Sequence, residues 1–153
     1  MLAKKLKAYL DDKQVRYLTI VHSPAFTTQE VAESAHIPGR FMAKTVMIYI
    51  DGALAMAVVP ANQRVMLDDL RELTETEDVR LALESEFKDQ FPDCDPGAMP
   101  PFGNLYDMSV YVAPELAEES EIAFNAGSHV EIIKMAYRDF ERLVSPRVAR
   151  FAT

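Results

Sequence analysis

Apolar residues recur along this chain with two alternating periods, and the points where one period gives way to the other predict the elements. Leu2, Leu6, Tyr9 and Leu10 keep a helical spacing, which predicts an amphipathic helix ending near Asp11-Asp12. Tyr17 to Val21 is rich in β-formers and predicts a strand. Thr27 and Glu30 stand at the two ends of a capping box, so a short helix is predicted from there to about Ala35, stopped by Pro38-Gly39. Lys44 to Ile50 and Ala53 to Val59 flank Asp51-Gly52, where both turn positions tolerate positive φ; this is the strongest hairpin signal in the sequence. Leu67, Leu70 and Leu73, with Asp68 and Asp69 at the start, predict another helix.

Farther along, Val79 to Leu83 alternates as a strand does, while Leu83, Phe87 and Phe91 keep a helical period, so a strand followed by a helix is predicted. Pro92 to Gly103 contains four of the nine prolines and two of the five glycines, too many for regular structure, and reads as a shaped loop. Val110 to Ala113, Ile122 to Asn125 and His129 to Met135 are predicted strands, the last two joined by Ala126-Gly127-Ser128. Tyr137 to Leu143 closes the pattern as a helix. Strands in this number, mixed with helices and including a hairpin, predict a single α+β domain over residues 1–153, a mixed sheet flanked by helices, and not a regular βαβ winding.

Composition narrows the function more than the fold. With 153 residues and 49% hydrophobic content, the chain can bury one sizeable core. Its longest apolar runs are broken at Asp51-Gly52, short of a membrane span, and the lysine-rich start lacks the apolar stretch of a secretion signal. A cytoplasmic location without a membrane partner is the expectation. The lone Cys94 cannot close an intramolecular disulfide, and Asp93 and Asp95 on either side disfavour its thiolate, so it is expected to be inert. A formal charge of −8 argues against an extended groove along a duplex, but leaves contact with one end of a nucleic acid open. Basic residues cluster at Lys4, Lys5 and Lys7, at Arg40 with Lys44, and at Arg138, Arg142, Arg147 and Arg150, each read as a solvated face.

Three distant stretches carry candidate chemistry, each at the edge of an apolar run: Lys44-Thr45, the loop Gly97 to Gly103, and Asn125 to His129. His22, His36 and His129 are isolated, with no metal-ligand spacing, and no metal or other cofactor is expected. Ser128 and His129 are neighbours, but in an extended segment their side chains point to opposite faces, and no nucleophile elbow occurs elsewhere. Lys44 either snorkels to solvent or meets an anionic or polar ligand in a pocket. His129 serves as a structural residue or as a donor or base in the physiological range. Gly97 and Gly103 bracket a Pro-Pro corner, which makes either a rigid turn or a pocket wall with exposed amides.

Taken in order, His22-Ser23-Pro24-Ala25 with Thr27 and Thr28, Ala43-Lys44-Thr45, Ala57 to Ala61, Gly97 to Gly103 and Asn125 to His129 resemble the YbaK/ProX family of aminoacyl-tRNA deacylases. These are editing domains related to the insertion domain of prolyl-tRNA synthetase. The resemblance covers nearly the whole chain and implies a partly closed, barrel-like mixed sheet. It implies hydrolysis of the ester that joins a mischarged small amino acid, such as Ala, Cys or Ser, to the terminal ribose of tRNA. The implied partners are the aminoacyl-adenosine end of tRNA and an aminoacyl-tRNA synthetase. Lys44 matches the family's characteristic lysine and, with Gly97 and His129, forms the implied catalytic set. Phe26, Met42, Met99, Pro100 and Phe102 would set the size limit of the pocket, with Thr28, Thr45, Pro101, Asn125, Gly127 and Ser128 completing substrate contact. Loop amides around Gly97 and Gly127 would steady the carbonyl oxygen as it gains charge. The competing reading is a non-catalytic module that binds aminoacyl-tRNA or a nucleotide beside a synthetase.

Overall fold

The hairpin at Asp51-Gly52 anchors the sheet. Strands β2 (Met42–Ile50) and β3 (Ala53–Pro60) pair antiparallel from Ala43↔Pro60 to Ile50↔Ala53, and the turn residues take φ of 50° and 82°. The computed structural model describes residues 4–22 and 37–153. The capping-box helix expected from Thr27 lies outside the described residues.

Around the hairpin stand β1 (Tyr17–Val21), β4 (Val79–Leu81), β5 (Ser109–Val112), β6 (Glu121–Asn125), β7 (Glu131–Ala136) and β8 (Arg147–Val148). They form one mixed sheet in the order β1-β7-β6-β2-β3-β5-β8, with β4 paired to β2 off that path. The helices are α1 (Lys4–Asp12), α2 (Leu67–Thr74), α3 (Glu84–Phe87), α4 (Pro114–Ala117) and α5 (Tyr137–Val144). The result is an α+β domain with a mixed sheet flanked by helices.

Alternation along β2 sorts the core into two sides. Ala43 and Met47 face a large cluster with Leu6 and Leu10 of α1, Phe102, Phe124, Ile133 and Phe140 of α5. Met42 and Ile48 face the opposite side, where Met42 packs with Ile37, Ala61, Ala123 and Ile132, and Ile48 with Val59, Leu70 and Phe151. Both faces of the sheet are therefore covered, which is why β3 and β6 read as continuous apolar runs.

The boundaries depart from expectation in several places. His129 lies in the turn before β7, which begins at Glu131, because Gly127 takes φ of 94° and the chain reverses there. A short helix, α4, starts at Pro114, whose ring suits a first helical turn. The two-residue β8 pairs with β5 and carries too little pattern to be read beforehand.

Candidate active site

β2 changes partner along its length. On the edge opposite β3 it pairs in parallel with β6 at Met42↔Ala123 and Ala43↔Phe124, then antiparallel with β4 from Ile48↔Leu81 to Ile50↔Val79. Between those ladders, residues 44–47 have no strand partner on that edge among the described residues. Lys44 and Thr45 open this gap, and Asn125 stands one residue beyond the last β6 pair, on the same side of the sheet as Lys44.

The turn from Ala126 to Val130 is where the separate motif stretches meet. His22 donates its amide to the carbonyl of Val130 at 2.9 Å, bringing in the end of β1. The amide of Asp95 reaches the carbonyl of Gly127 at 2.8 Å, and the amide of Gly127 returns to the carbonyl of Ala98 at 3.0 Å. His129 Nε2 lies 2.9 Å from the carbonyl of Pro96, so Nε2 carries the proton and donates it. Gly97 sits under that imidazole with φ of 84°, and a Cβ there would lie 3.6 Å from Cε1 of His129. Space alone would admit a methyl group; the left-handed backbone is what selects glycine. Gly97→Ala is expected to cost about 1–2 kcal/mol of stability through that strain, read as a lowered midpoint in urea unfolding, together with a fall in any activity of the site.

These bonds revise part of the sequence reading. The Gly127 amide is committed to Ala98, so it does not serve an incoming oxygen. The amides of Gly97 and Ser128 make no hydrogen bond among the described residues. Ser128 Oγ accepts from the amide of Val130 at 3.3 Å and is buried, which makes it a turn residue and not a nucleophile. Asn125 is 6% exposed and its side-chain oxygen has no hydrogen-bond partner among the described residues, a deficit that a bound donor would relieve.

Phe102 is the clearest correction. It is fully buried in the larger cluster, with ring centroids 5.5 Å from Phe124, 5.4 Å from Phe140 and 6.4 Å from Tyr9. It is core, not pocket wall. Met99 joins the same cluster, whereas Met42 packs on the other face of the sheet, so the two methionines do not share one surface. Pro100 and Pro101, within the loop, are buried, and Phe26 and Thr28 lie outside the described residues.

Lys44 is half-buried and forms no ion pair or hydrogen bond among the described residues. Burial lowers its pKa, and the positive charge of Arg64 lowers it further. An ammonium in that state gains from any anion that enters. Cys94, by contrast, is silenced: burial pushes its thiol up to about 12, with the charge of Asp93 adding to the effect. Among the described residues no group of three His, Cys, Asp or Glu is placed to hold a metal ion, and no helix is long and apolar enough to cross a membrane.

The family model for the aminoacyl-tRNA editing domain matches residues 22–143, from the end of β1 to α5. The chain belongs to that family. The matched span includes every stretch that meets at the turn from Ala126 to Val130. No curated protein matches the sequence. Among solved structures, a protein proposed as a trans-editing enzyme for prolyl-tRNA synthetase superimposes with a TM-score of 0.82 at 17% identity, over 99% of this chain and 96% of that one. The hypothetical protein APE2540 superimposes with a TM-score of 0.86 at 18% identity, over 98% of this chain and 100% of its own. At such identities the likeness is one of fold. It gives this editing domain the same mixed sheet as its YbaK-like neighbour.

Proposed function

We propose that this editing-domain protein is a trans-acting deacylase that hydrolyses the ester between a small mischarged amino acid, such as Ala, Cys or Ser, and the terminal ribose of tRNA. The observation that carries the proposal is the junction itself: the Gly97 loop is stitched to the turn bearing His129, next to Asn125 and the uncompensated ammonium of Lys44. Editing exists because a synthetase pocket excludes a substrate smaller by one methylene by only about 1–3 kcal/mol, so a second site must remove the errors.

In the proposed reaction Lys44 holds the terminal adenosine by its phosphate or ribose. Water adds to the ester carbonyl carbon, and the Gly97 amide donates to the oxygen as it becomes an oxyanion. The carbon–oxygen bond to the ribose then breaks, the proton from water passes to the ribose oxygen, and free amino acid leaves. Asn125 offers its unpartnered oxygen to the substrate amine or a ribose hydroxyl. His129 spends its Nε2 proton on Pro96, which fits a role in holding the loop in place, and the scheme requires no protein nucleophile. A synthetase remains the second proposed partner, since a chain of charge −8 gains little from phosphate contacts along the rest of the tRNA.

A panel of mischarged alanyl-, cysteinyl- and seryl-tRNAs, each amino acid esterified to a tRNA that is not its own, tests the proposal. Release of amino acid from at least one is expected; binding of the charged end without release would make the protein a binding module instead. The rate in excess of spontaneous hydrolysis has a predicted pH dependence. Lys44 binds an anion only while protonated, so activity persists below its folded-state pKa and declines as pH rises through it. Because that pKa is lowered, the decline sets in at lower pH than an ordinary lysine would give. A profile that stays flat through the alkaline range in which lysines titrate would remove the ammonium from the mechanism.

A further inference from the structure

β1 is the last strand on one side of the sheet, and a cleft of about 280 Å³ lies over the start of β1, the end of β7 and the start of β6. Three cations line it, Arg16, Lys134 and Arg138, with Glu121 and Asp139 in the same wall. Residues this far apart in the chain meet there because Leu18 pairs with Lys134 and Glu121 with Ala136, while Arg138 stands in the first turn of α5, directly after β7.

The two carboxylates do not balance the three cations. Glu121 lies 3.9 Å from the ammonium of Lys134, and Asp139 is taken by Arg142 at 3.2 Å. The side chains of Arg16 and Arg138 are exposed and make no ion pair or hydrogen bond among the described residues. The cleft therefore presents two uncommitted guanidinium groups on a chain whose formal charge is −8. Leu18, in the same wall, is 59% exposed. That combination suits a nucleotide better than a simple ion: the planar donors of arginine meet two phosphate oxygens at once, and the leucine offers an apolar surface to the adjoining ribose.

The cleft lies on the face of the sheet that carries Lys44. Met42, Ala123, Lys134 and Leu18 are successive partners across β2, β6, β7 and β1 and point to one face, to which Lys44 and Asn125 return two residues farther along. With strands about 4.8 Å apart and a rise of about 3.4 Å per residue, Lys134 stands roughly 12 Å from Lys44. Ile37, packed with Ala123 and Ile132, covers the face between them, so the cleft is a separate site and not an arm of the first. A stacked strand rises about 3.4 Å per nucleotide, which puts a phosphate a few nucleotides upstream of an ester held at Lys44 within reach of the cleft.

We infer that Arg16 and Arg138 grip a backbone phosphate of the acceptor strand a few nucleotides before the terminal adenosine, giving the RNA a second hold outside the site of hydrolysis. This rests on the deacylase reading above and adds to it the direction in which the strand leaves the Gly97 loop. A contact of this kind positions the strand without reading its sequence.

The test compares two substrates, the aminoacyl-tRNA hydrolysed fastest in the panel above and the adenosine ester of the same amino acid, which ends at the terminal nucleoside. Arg16→Gln combined with Arg138→Gln should lower the ratio of kcat/KM for the tRNA over the adenosine ester at least tenfold. The loss should appear in KM, and the salt dependence of KM for the tRNA should flatten by about one phosphate contact. Because neither side chain is bonded among the described residues, the thermal midpoint should be kept. Arg147→Gln combined with Arg150→Gln removes the same charge beside β8, at the opposite end of the sheet order, and should leave the ratio unchanged. An undiminished ratio in the Arg16 and Arg138 variant, or an equal fall in the Arg147 and Arg150 variant, overturns the contact while leaving the deacylase reading intact. Should wild type hydrolyse neither substrate, the deacylase reading falls, and filter binding of uncharged tRNA decides the contact: a tenfold weakening in the Arg16 and Arg138 variant supports it, and undiminished binding, or none by wild type, overturns it.

Discussion

Lys44→Ala is expected to lower kcat/KM for deacylation by roughly 100- to 1,000-fold, the range found when one preorganised electrostatic contact is removed from a reacting site, while leaving the fold intact. The two halves of this expectation share one cause. Lys44 has no carboxylate partner among the described residues, so its removal breaks no stabilising ion pair. Its charge is opposed by burial and by Arg64, so in the folded protein the charged form is penalised relative to the unfolded chain. The sign follows: the folded state binds this proton less tightly, the penalty is present in full below the lowered folded-state pKa, and stability recovers as pH rises from there to the unfolded value. At neutral pH, Lys44→Met, which keeps the apolar stem and discards the charge, should therefore melt at the same temperature as wild type or higher, yet be inactive. Such a pairing of lost activity with retained stability distinguishes a functional lysine from a snorkelling surface one, for which activity would hardly move. A Lys44→Met variant that turned over normally would exclude the ammonium from catalysis whatever its stability.

How far the fold was legible depends on the range of the interaction that decides each element. The hairpin, α1, β1 and the helix after Met66 are set by neighbours within a few residues, and their periodicity was sufficient. Gly52 and Asp51 announce their own turn. The partner exchange on β2 could not be read in the same way: nothing in Met42 to Ile50 says that β6 occupies one half of an edge and β4 the other, since that depends on chain 30 to 80 residues away. Yet that exchange creates the gap at Lys44. The site was legible as residue types in order, through the resemblance to the editing domains, but not as geometry. His129 illustrates the difference. The pattern from His129 to Met135 predicts it as the first residue of a strand, whereas Gly127 and the Ser128 hydroxyl turn the chain so that the imidazole meets Pro96 and covers Gly97. Gly127 illustrates it in the other direction, because its amide, proposed as a free donor, closes the loop onto Ala98.

The assignment of Phe102 turned on a distinction that sequence does not encode: an aromatic ring in a Pro- and Gly-rich loop can line a pocket or plug the core beneath it. The structure places it in the core, and Phe102→Ala is accordingly expected to cost about 3–5 kcal/mol. Truncation would remove the ring that touches Phe124 of β6, Phe140 of α5 and Tyr9 of α1, and those three elements cannot all move inward to fill the space. Against a total stability of about 5–15 kcal/mol for a domain of this kind, the loss is large, and it should appear as a fall in thermal midpoint on the order of 10 °C. Phe102→Leu, which keeps most of the volume, should cost less than about 1.5 kcal/mol and leave the choice among alanyl-, cysteinyl- and seryl-tRNA unchanged, because a side chain with no exposed surface does not meet the amino acid. The opposite pattern, a stable Phe102→Leu variant with altered amino acid preference, would return Phe102 to the pocket wall and require the Gly97 loop to open away from Phe124 when substrate binds.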